Sequence, residues 1–452
     1  MTTANIVTSA TPGGALDAAF ARGVAARIDP SEAPISVVRI DLDDVRGGSV
    51  RPLPRSGAVL GLVRVHRRPV GVLCVRLDGV GDAPAEAEAE LVTRARHQFG
   101  ARVAEHLEQD VAAGGPDGCD RIRARMLADP PPLSVVVATR ERPASLARCL
   151  DSLLALDYPL LEIIVVDNAP LTRATAELVT TRYAGRVAYA TEPRRGLANA
   201  HNRGLAAASG EVIAFTDDDV VADREWASAL VEAFRLRPRA ACVTGLIMPA
   251  ELETRPQAML ERRGAFAKGF RLIEHHAEVS GTHPLFPFTA GRLGSGANMA
   301  FRAGVLRAAG GFDPALGTGT AARGGDDLLA FFRTAVGGHS LVYQPTALVW
   351  HHHRKEPGAL AQQAFGYGVG LGAYLAAAVA REPRTVFSLL RKLPAGVGYA
   401  LRESRPDEAD PAAWPARLAR LERYGLLCGP AAYARSRWRE RTRRGAAGGR
   451  RG

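Results

Sequence analysis

Cysteine is scarce in this 452-residue chain. Cys74, Cys119, Cys149, Cys242 and Cys428 are scattered, odd in number and never in C-x-x-C spacing, so they suggest neither a disulfide framework nor zinc. A reducing compartment follows from that pattern. Residues 1–11 lack a basic stretch followed by an apolar core, so no secretory signal is read and the expected location is cytoplasmic. No basic stripe interleaved with aromatics occurs, which sets nucleic acid aside as the expected partner. The hydrophobic share of 47% with 23% charged residues excludes wholesale disorder and an all-membrane protein. The length permits two or three domains. The net charge of +11 favours anionic partners, among them acidic lipid surfaces and phosphorylated small molecules.

Patterning divides the chain. Residues 1–30 read as a flexible arm. Residues 31–110 read as a small α+β unit, with strand-like bursts at Ile35-Ser-Val-Val-Arg-Ile, Val59-Leu-Gly-Leu-Val-Arg-Val and Val70-Gly-Val-Leu-Cys-Val, closed by an Ala/Glu-rich helix. Residues 111–132, with Gly-Gly-Pro-Asp-Gly and three prolines, read as a linker. From Leu133 to about residue 354, short all-apolar strands alternate with amphipathic helices, which implies right-handed βαβ units and a mostly parallel, Rossmann-like sheet flanked by helices. Residues 249–295 within it have the composition of irregular structure. Residues 355–434 read as a helical extension, and the Arg-rich stretch 435–452 as a basic disordered tail.

In parallel sheets ligands bind at the carboxyl ends of the strands, and polar residues gather there. Asp217, Asp218 and Asp219 follow Val212-Ile-Ala-Phe. Their mutual repulsion would be offset by a hard divalent cation with phosphate oxygens. An acidic helix N-cap before Arg224 is the plainer alternative, and the position after a buried strand favours the cation. Asp326 and Asp327 open a second apolar helix, either as caps or with one of them serving as a general base. His351, His352 and His353 end a further strand, and one functional imidazole is expected in that run.

Taken in order, Val135-Val-Val-Ala-Thr-Arg-Glu-Arg-Pro, Ile164-Val-Val-Asp-Asn, Gly196-Leu-Ala-Asn-Ala-His-Asn-Arg-Gly, Phe215-Thr-Asp-Asp-Asp, Gly296-Ala-Asn-Met-Ala-Phe, Gly311-Phe-Asp, Gly325-Asp-Asp and Val349-Trp-His-His-His resemble a family 2 glycosyltransferase of the GT-A fold. The resemblance covers about half of the chain. It implies that Thr139 and Arg140 belong to the first nucleotide-contacting loop, that Asp167 accepts a hydrogen bond from the base, and that Arg195 and Asn199 lie near the nucleotide or diphosphate. Asp217 and Asp219 match the D-x-D motif with Asp218 between them, and these acids divide contact with the donor from coordination of Mn2+ or Mg2+. Asp327 matches the catalytic base of inverting relatives. Asp326 stands where a glutamate is usual and, with Asn298, falls on the acceptor side. His351 or His352 resembles a histidine placed on the metal or diphosphate, with His351 taken as the metal ligand. The implied partners are a nucleoside-diphosphate-sugar donor and a hydroxyl acceptor that is a polysaccharide, lipid-linked or small molecule, as in cell-envelope or secondary-metabolite glycosylation.

Residues 357–380 are uncharged but rich in Gly and Ala, and read as a packed or interfacial helix rather than a membrane span. With the basic amphipathic stretch after Val386 and the Arg-rich tail, they suggest peripheral contact with the inner face of the plasma membrane. Two other readings stand beside the transferase. A nucleotidyltransferase would show a Gly-rich phosphate loop after the first strand, where no glycine occurs until Gly185. A degenerate, non-enzymatic sugar-nucleotide-binding protein would have no need of both acidic clusters.

Overall fold

The computed structural model describes residues 27–42, 48–54, 56–78, 84–115, 117–263, 266–276, 285–403 and 414–448. Most of the arm read at residues 1–30 and the end of the tail after Gly448 therefore lie outside the described residues. The first sheet is built from β1 (Ser36–Asp41), β2 (Ser49–Arg51), β3 (Ala58–Val65) and β4 (Arg68–Arg76), in the order β2-β1-β3-β4. β1 and β3 run parallel, and the other two pairs are antiparallel. Helix α1 (Pro84–Ala112) covers it. Leu91, Ala95, Phe99 and Val103 recur every fourth residue and so share one helical face, buried against Val38, Ile40, Val63 and Leu73. Each large apolar side chain in such a face stabilises by about 1.5–3 kcal/mol.

Residues 111–132, expected as a linker, contain α2 (Gly118–Met126). Its Arg123 pairs with Glu225 and Glu232, so the connection is docked rather than free. The main sheet follows. Its first half comprises β5 (Leu133–Thr139), α3 (Pro143–Leu154), β6 (Leu161–Asn168), α4 (Ala174–Arg182), β7 (Ala188–Glu192), α5 (Leu197–Ala207) and β8 (Val212–Asp217). Then come β9 (Val220–Ala222), α6 (Trp226–Leu236), β10 (Ala240–Pro249), α7 (Arg255–Arg262), β11 (Ile273–His275), β12 (Asn298–Arg302), α8 (Ala303–Ala308), α9 (Asp326–Val336) and β13 (Ser340–His351). The strand order is β11-β13-β10-β12-β8-β5-β6-β7, with β9 paired to β13.

The half formed by β8, β5, β6 and β7 is wholly parallel, and β12 enters antiparallel on both sides. Alternation within each strand feeds two cores, because successive side chains point to opposite faces. Val135, Val137, Ile163 and Val165 pack with Leu146, Leu150 and Leu153 of α3 on one face. Val136, Ile164 and Val166 pack with Ala198 and Leu205 of α5 on the other. Burial on both faces is why these strands read as continuous apolar runs. The two sheets also meet, with Leu60, Leu62 and Val72 packed among Leu246, Met248 and Leu348.

The C-terminal region is helical, with α10 (Pro357–Arg381), α11 (Val386–Glu403) and α12 (Ala416–Gly448). Residues 435–448, expected as a disordered tail, continue α12, which buries Tyr433 and Ser436. That burial anchors a stretch whose composition alone suggests a loose end. Helix α10 is long and apolar enough to cross a membrane by length and composition, and 50% of its most apolar window is buried against the rest of the protein. It meets α12 at backbone distance. A methyl group added at Gly372 would come within 2.2 Å of the Leu426 carbonyl oxygen. Glycine therefore lets these two helices touch.

Candidate active site

The carboxyl ends of β5 and β8 and the N-terminus of α9 open into one cleft of about 660 Å³. Thr139, at the end of β5, donates its hydroxyl to Asp218 at 2.6 Å. Arg142, the third residue of the following loop, donates to Asp218 at 2.8 Å and to Asp219 at 3.0 Å. The short β9 hydrogen-bonds β13 so that His351 faces Val220. That register brings His351 Nε2 to 3.2 Å from Asp219 Oδ1. Asp217, Asp219 and His351 thus offer ligand atoms within 4.8 Å of one another.

The three acids differ in electrostatics. Burial pushes Asp217 up, helped by the charge of Asp219 beside it. Burial also raises Asp218, outweighing its pairing with Arg142. For Asp219 burial is outweighed by the bond to His351 and by Arg142, which hold it well below the usual carboxylate range. Burial disfavours the imidazolium of His351, yet Asp219 and Asp217 raise it overall. His353 turns away from the cleft, 3.1 Å from Glu261, with Nδ1 at 3.0 Å from His351 Nδ1. It orients His351 from behind. His352 lines the cleft and lies 3.7 Å from Glu251.

The second acidic pair is set by the start of α9. Gly325 has φ 87°, a left-handed conformation that a side chain strains, and an added methyl would meet the Gly370 carbonyl at 2.7 Å. From there Asp327 accepts from the backbone N–H of Gly296 at 2.9 Å and of Leu328 at 2.8 Å. Burial, then the charge of Asp326, pushes Asp327 up to about 6. Asp326 is buried, with Oδ2 3.4 Å from His201 Nδ1. Both residues also border or line the cleft.

The remaining expected residues divide. Arg140 and Arg195 line the cleft. Asp167 is fully buried at the end of β6, accepts from Tyr189 at 2.9 Å, and leaves its Oδ1 unbonded. Asn199 is buried at the start of α5, with its side chain donating to the Arg195 carbonyl. Neither borders the cleft wall as Asn168 does, whose side chain holds Gly196 and so the Arg195 loop. Asn298 corrects the acceptor-side expectation. It is fully buried, donates to the carbonyls of Leu246 and Ala347, and accepts from Trp226 Nε1 at 2.8 Å. With those groups taken, Asn298 ties β12 to its neighbours instead of meeting a ligand.

Sequence patterning missed part of the wall. Gln363, Tyr367 and Gly370 of α10 line the cleft, as does Arg354, although α10 was assigned to an extension beyond the catalytic domain. Nothing local marks those residues as ligand-facing. Arg142 was visible beside Thr139 and Arg140, but only the folded loop aims it at Asp218 and Asp219.

Residues 134–302 match the family described as glycosyl transferase family 2. Among curated proteins, the chain is 27% identical over 190 residues to a glucosyl-dolichyl phosphate glucuronosyltransferase of Haloferax volcanii, covering 40% of this chain and 56% of that one. It is 28% identical over 224 residues to a pre-mycofactocin glycosyltransferase of Mycobacterium tuberculosis, covering 50% of this chain and 43% of that one. The chain thus spans about half the length of the curated relatives it matches. Among solved structures, a mannosyltransferase from Pyrobaculum calidifontis in complex with GDP-Man and Mn2+ aligns over 70% of this chain and 78% of that one, with 20% identity and a TM-score of 0.41.

Proposed function

Proceeding from an enzyme that carries a glycosyl transferase family 2 domain, we propose that this chain transfers a sugar from a nucleoside-diphosphate-sugar donor to an acceptor hydroxyl with inversion, assisted by Mn2+ or Mg2+. One observation carries the reading: the acids after β8, His351 and Asp327 converge on a single cleft that Arg140, Arg142, Arg195, Arg323 and Arg354 also line. Asp327 is the base, and the rest of the cleft handles the donor diphosphate.

The donor set of two carboxylates and one imidazole suits Mn2+ or Mg2+ rather than a soft metal. Asp217, Asp219 and His351 would hold it, and a bound cation would neutralise charge on the departing diphosphate. The arginines of the cleft supply further positive charge for the same group. Asp167, with an unbonded buried oxygen, is suited to accept from the base of the nucleotide. Thr139 and Arg142 fix Asp218 so that it stays in place when donor arrives.

Asp327 takes the acceptor proton as the hydroxyl oxygen bonds to the anomeric carbon and the bond to the diphosphate breaks. Its raised pKa strengthens it as a base relative to an ordinary carboxylate, while leaving it ionised near neutral pH. The two backbone N–H donors hold that carboxylate in one orientation. Asp326 shapes the same wall on the acceptor side.

A panel of sugar nucleotides with Mn2+ tests this reading. Release of the nucleoside diphosphate is the expected result. Release of pyrophosphate would point to nucleotidyl transfer, and silence with every donor would favour a binding protein.

A peripheral contact with an anionic bilayer belongs to the same proposal. Phe387 is 82% and Leu390 59% exposed on basic α11, and Leu427 is 79% exposed on α12. Such apolar side chains beside arginines suit an interfacial segment serving a lipid-linked acceptor. Flotation with anionic vesicles should carry the full chain upward and leave a Phe387→Ser, Leu390→Ser form behind; equal flotation would contradict the contact.

A further inference from the structure

The fold brings together a second set of ligand-bearing side chains, far from the acids of the cleft in sequence and chemistry. His66 lies in the turn between β3 and β4, His106 and Asp110 lie one helical turn apart near the end of α1, and Cys119 opens α2. His66 Nδ1 is 2.7 Å and His106 Nε2 3.2 Å from Asp110 Oδ2. Cys119 Sγ is 3.7 Å from each of the two imidazole nitrogens. All four ligand atoms lie within 4.8 Å of one another. We propose that His66, His106, Asp110 and Cys119 form a zinc site that fastens the N-terminal sheet to the helices leading into the catalytic domain.

Geometry supports this first. Zinc bonds of about 2.0–2.3 Å at tetrahedral angles put ligand atoms roughly 3.3–3.7 Å apart. The two sulfur–nitrogen separations and the His106–Asp110 separation are close to that spacing, and the His66–Asp110 pair, now hydrogen-bonded, would open by about 0.6 Å. The ligand types agree as well. A thiolate with two imidazoles and a carboxylate selects zinc over Mg2+ or Ca2+, which prefer oxygen. The two anionic ligands would balance the charge of the ion, so burial leaves no net charge to solvate.

Backbone conformation gives an independent sign. His66 and Arg67 occupy the two central positions of the β3–β4 hairpin with φ 48° and 63°. Such turns ordinarily use Asn-Gly or Gly-Gly, because both positions need positive φ. A histidine held there is strained relative to glycine, which is expected where its side chain has a task. On the other side, Cys119 donates its backbone N–H to Asp110 Oδ1 at 2.8 Å, which orients the carboxylate with its other oxygen toward the histidines. Gly118 permits this approach, since an added methyl would fall 2.2 Å from the Asp110 carbonyl oxygen.

The site is closed. Asp110 and Cys119 are buried, and the two histidine side chains are 12% and 13% exposed, so four protein ligands leave no open position for substrate. That is the arrangement of a structural zinc rather than a catalytic one. Around it, Arg68 donates to the Cys119 carbonyl and pairs with Glu232, and Arg123 pairs with Glu225 and Glu232. The zinc would therefore sit where β4, α1 and α2 meet the start and middle of α6. The sequence hides it, because the ligands come from three elements and contain only one cysteine. On binding, the Cys119 S–H bond breaks, its proton passes to solvent, and the sulfur lone pair bonds the metal.

The test uses full-length protein carrying Asp219→Asn, which disables the cleft as a metal site. Purified from zinc-containing medium, it should retain about one zinc per chain. After exchange with Co2+, it should show the intense near-ultraviolet absorption of a thiolate–cobalt bond, which the cleft cannot produce. Cys119→Ser should abolish that band and most of the zinc. Absence of both zinc and the band in the Asp219→Asn protein would overturn the proposal, and that result does not depend on whether Cys119→Ser folds. Persistence of the band in folded Cys119→Ser protein would overturn it too.

Discussion

Among the described residues, two groups of side chains could hold a metal ion, and they are built oppositely. Asp217, Asp219 and His351 are partly open, share a large cleft, and offer mostly oxygen. His66, His106, Asp110 and Cys119 are nearly closed and offer two nitrogens, one sulfur and one oxygen. With a metal bound, the open set would leave coordination positions for the proposed donor diphosphate, whereas the closed set would leave none. A catalytic centre needs the first arrangement and a structural staple the second. Damage to the first should therefore remove activity with little effect on folding, and damage to the second should do the reverse.

The largest effect that could break this contrast is expected from Asp219→Asn. Nucleoside-diphosphate release should fall by about 10³ or more, the scale of losing several kcal/mol of leaving-group stabilisation. Thermal unfolding should show a Tm close to the parent. A large fall in Tm with retained release would erase the distinction. A smaller loss is expected for His351→Gln, about 10–100-fold in the Mn2+ concentration needed for half-maximal activity. Unchanged Mn2+ dependence would remove His351 from the metal.

The acid side of the pH profile sharpens the account of Asp327. Its pKa is raised to about 6, so it is ionised and competent above that pH and becomes protonated below it. The value of kcat/KM should fall about tenfold per pH unit below pH 6. An acid limb at the ordinary carboxylate position, near pH 4, would show that burial does not govern this group. The smallest effect on activity is expected for Cys119→Ser, which should change nucleoside-diphosphate release at low temperature by less than about twofold while lowering Tm. Loss of release in a fully folded variant would mean that the closed cluster reaches the chemistry.

The same contrast explains what could be read in the sequence. Thr139, Asp217, Asp218, Asp219 and Asp327 directly follow buried apolar strands or open an apolar helix, so local pattern placed them near strand ends. The parallel half of the sheet was equally visible, because strands buried on both faces are continuous apolar runs. Arg142 and His201 depend on loop direction and helix packing, which no local pattern encodes. The α10 wall was missed because Gly/Ala-rich composition signals close helix packing, and contacts distant in sequence, such as Gly325 with Gly370 and Arg323 over the Phe365 ring, carry it to the cleft. Asn298 failed in the other direction. It stands in a motif read as acceptor-facing, yet its side chain satisfies backbone groups between strands. The absence of C-x-x-C spacing argued against zinc only for ligands close in sequence, and Cys119 meets partners as far back as His66.

Binding and turnover measured side by side for Asp327→Asn test the central claim most directly. With Mn2+ present, calorimetric titration of the nucleoside diphosphate should give a Kd within about twofold of the parent, while nucleoside-diphosphate release from the donor falls by about 10²–10⁴. Weakened nucleotide binding with normal turnover would contradict the assignment of Asp327 as the base.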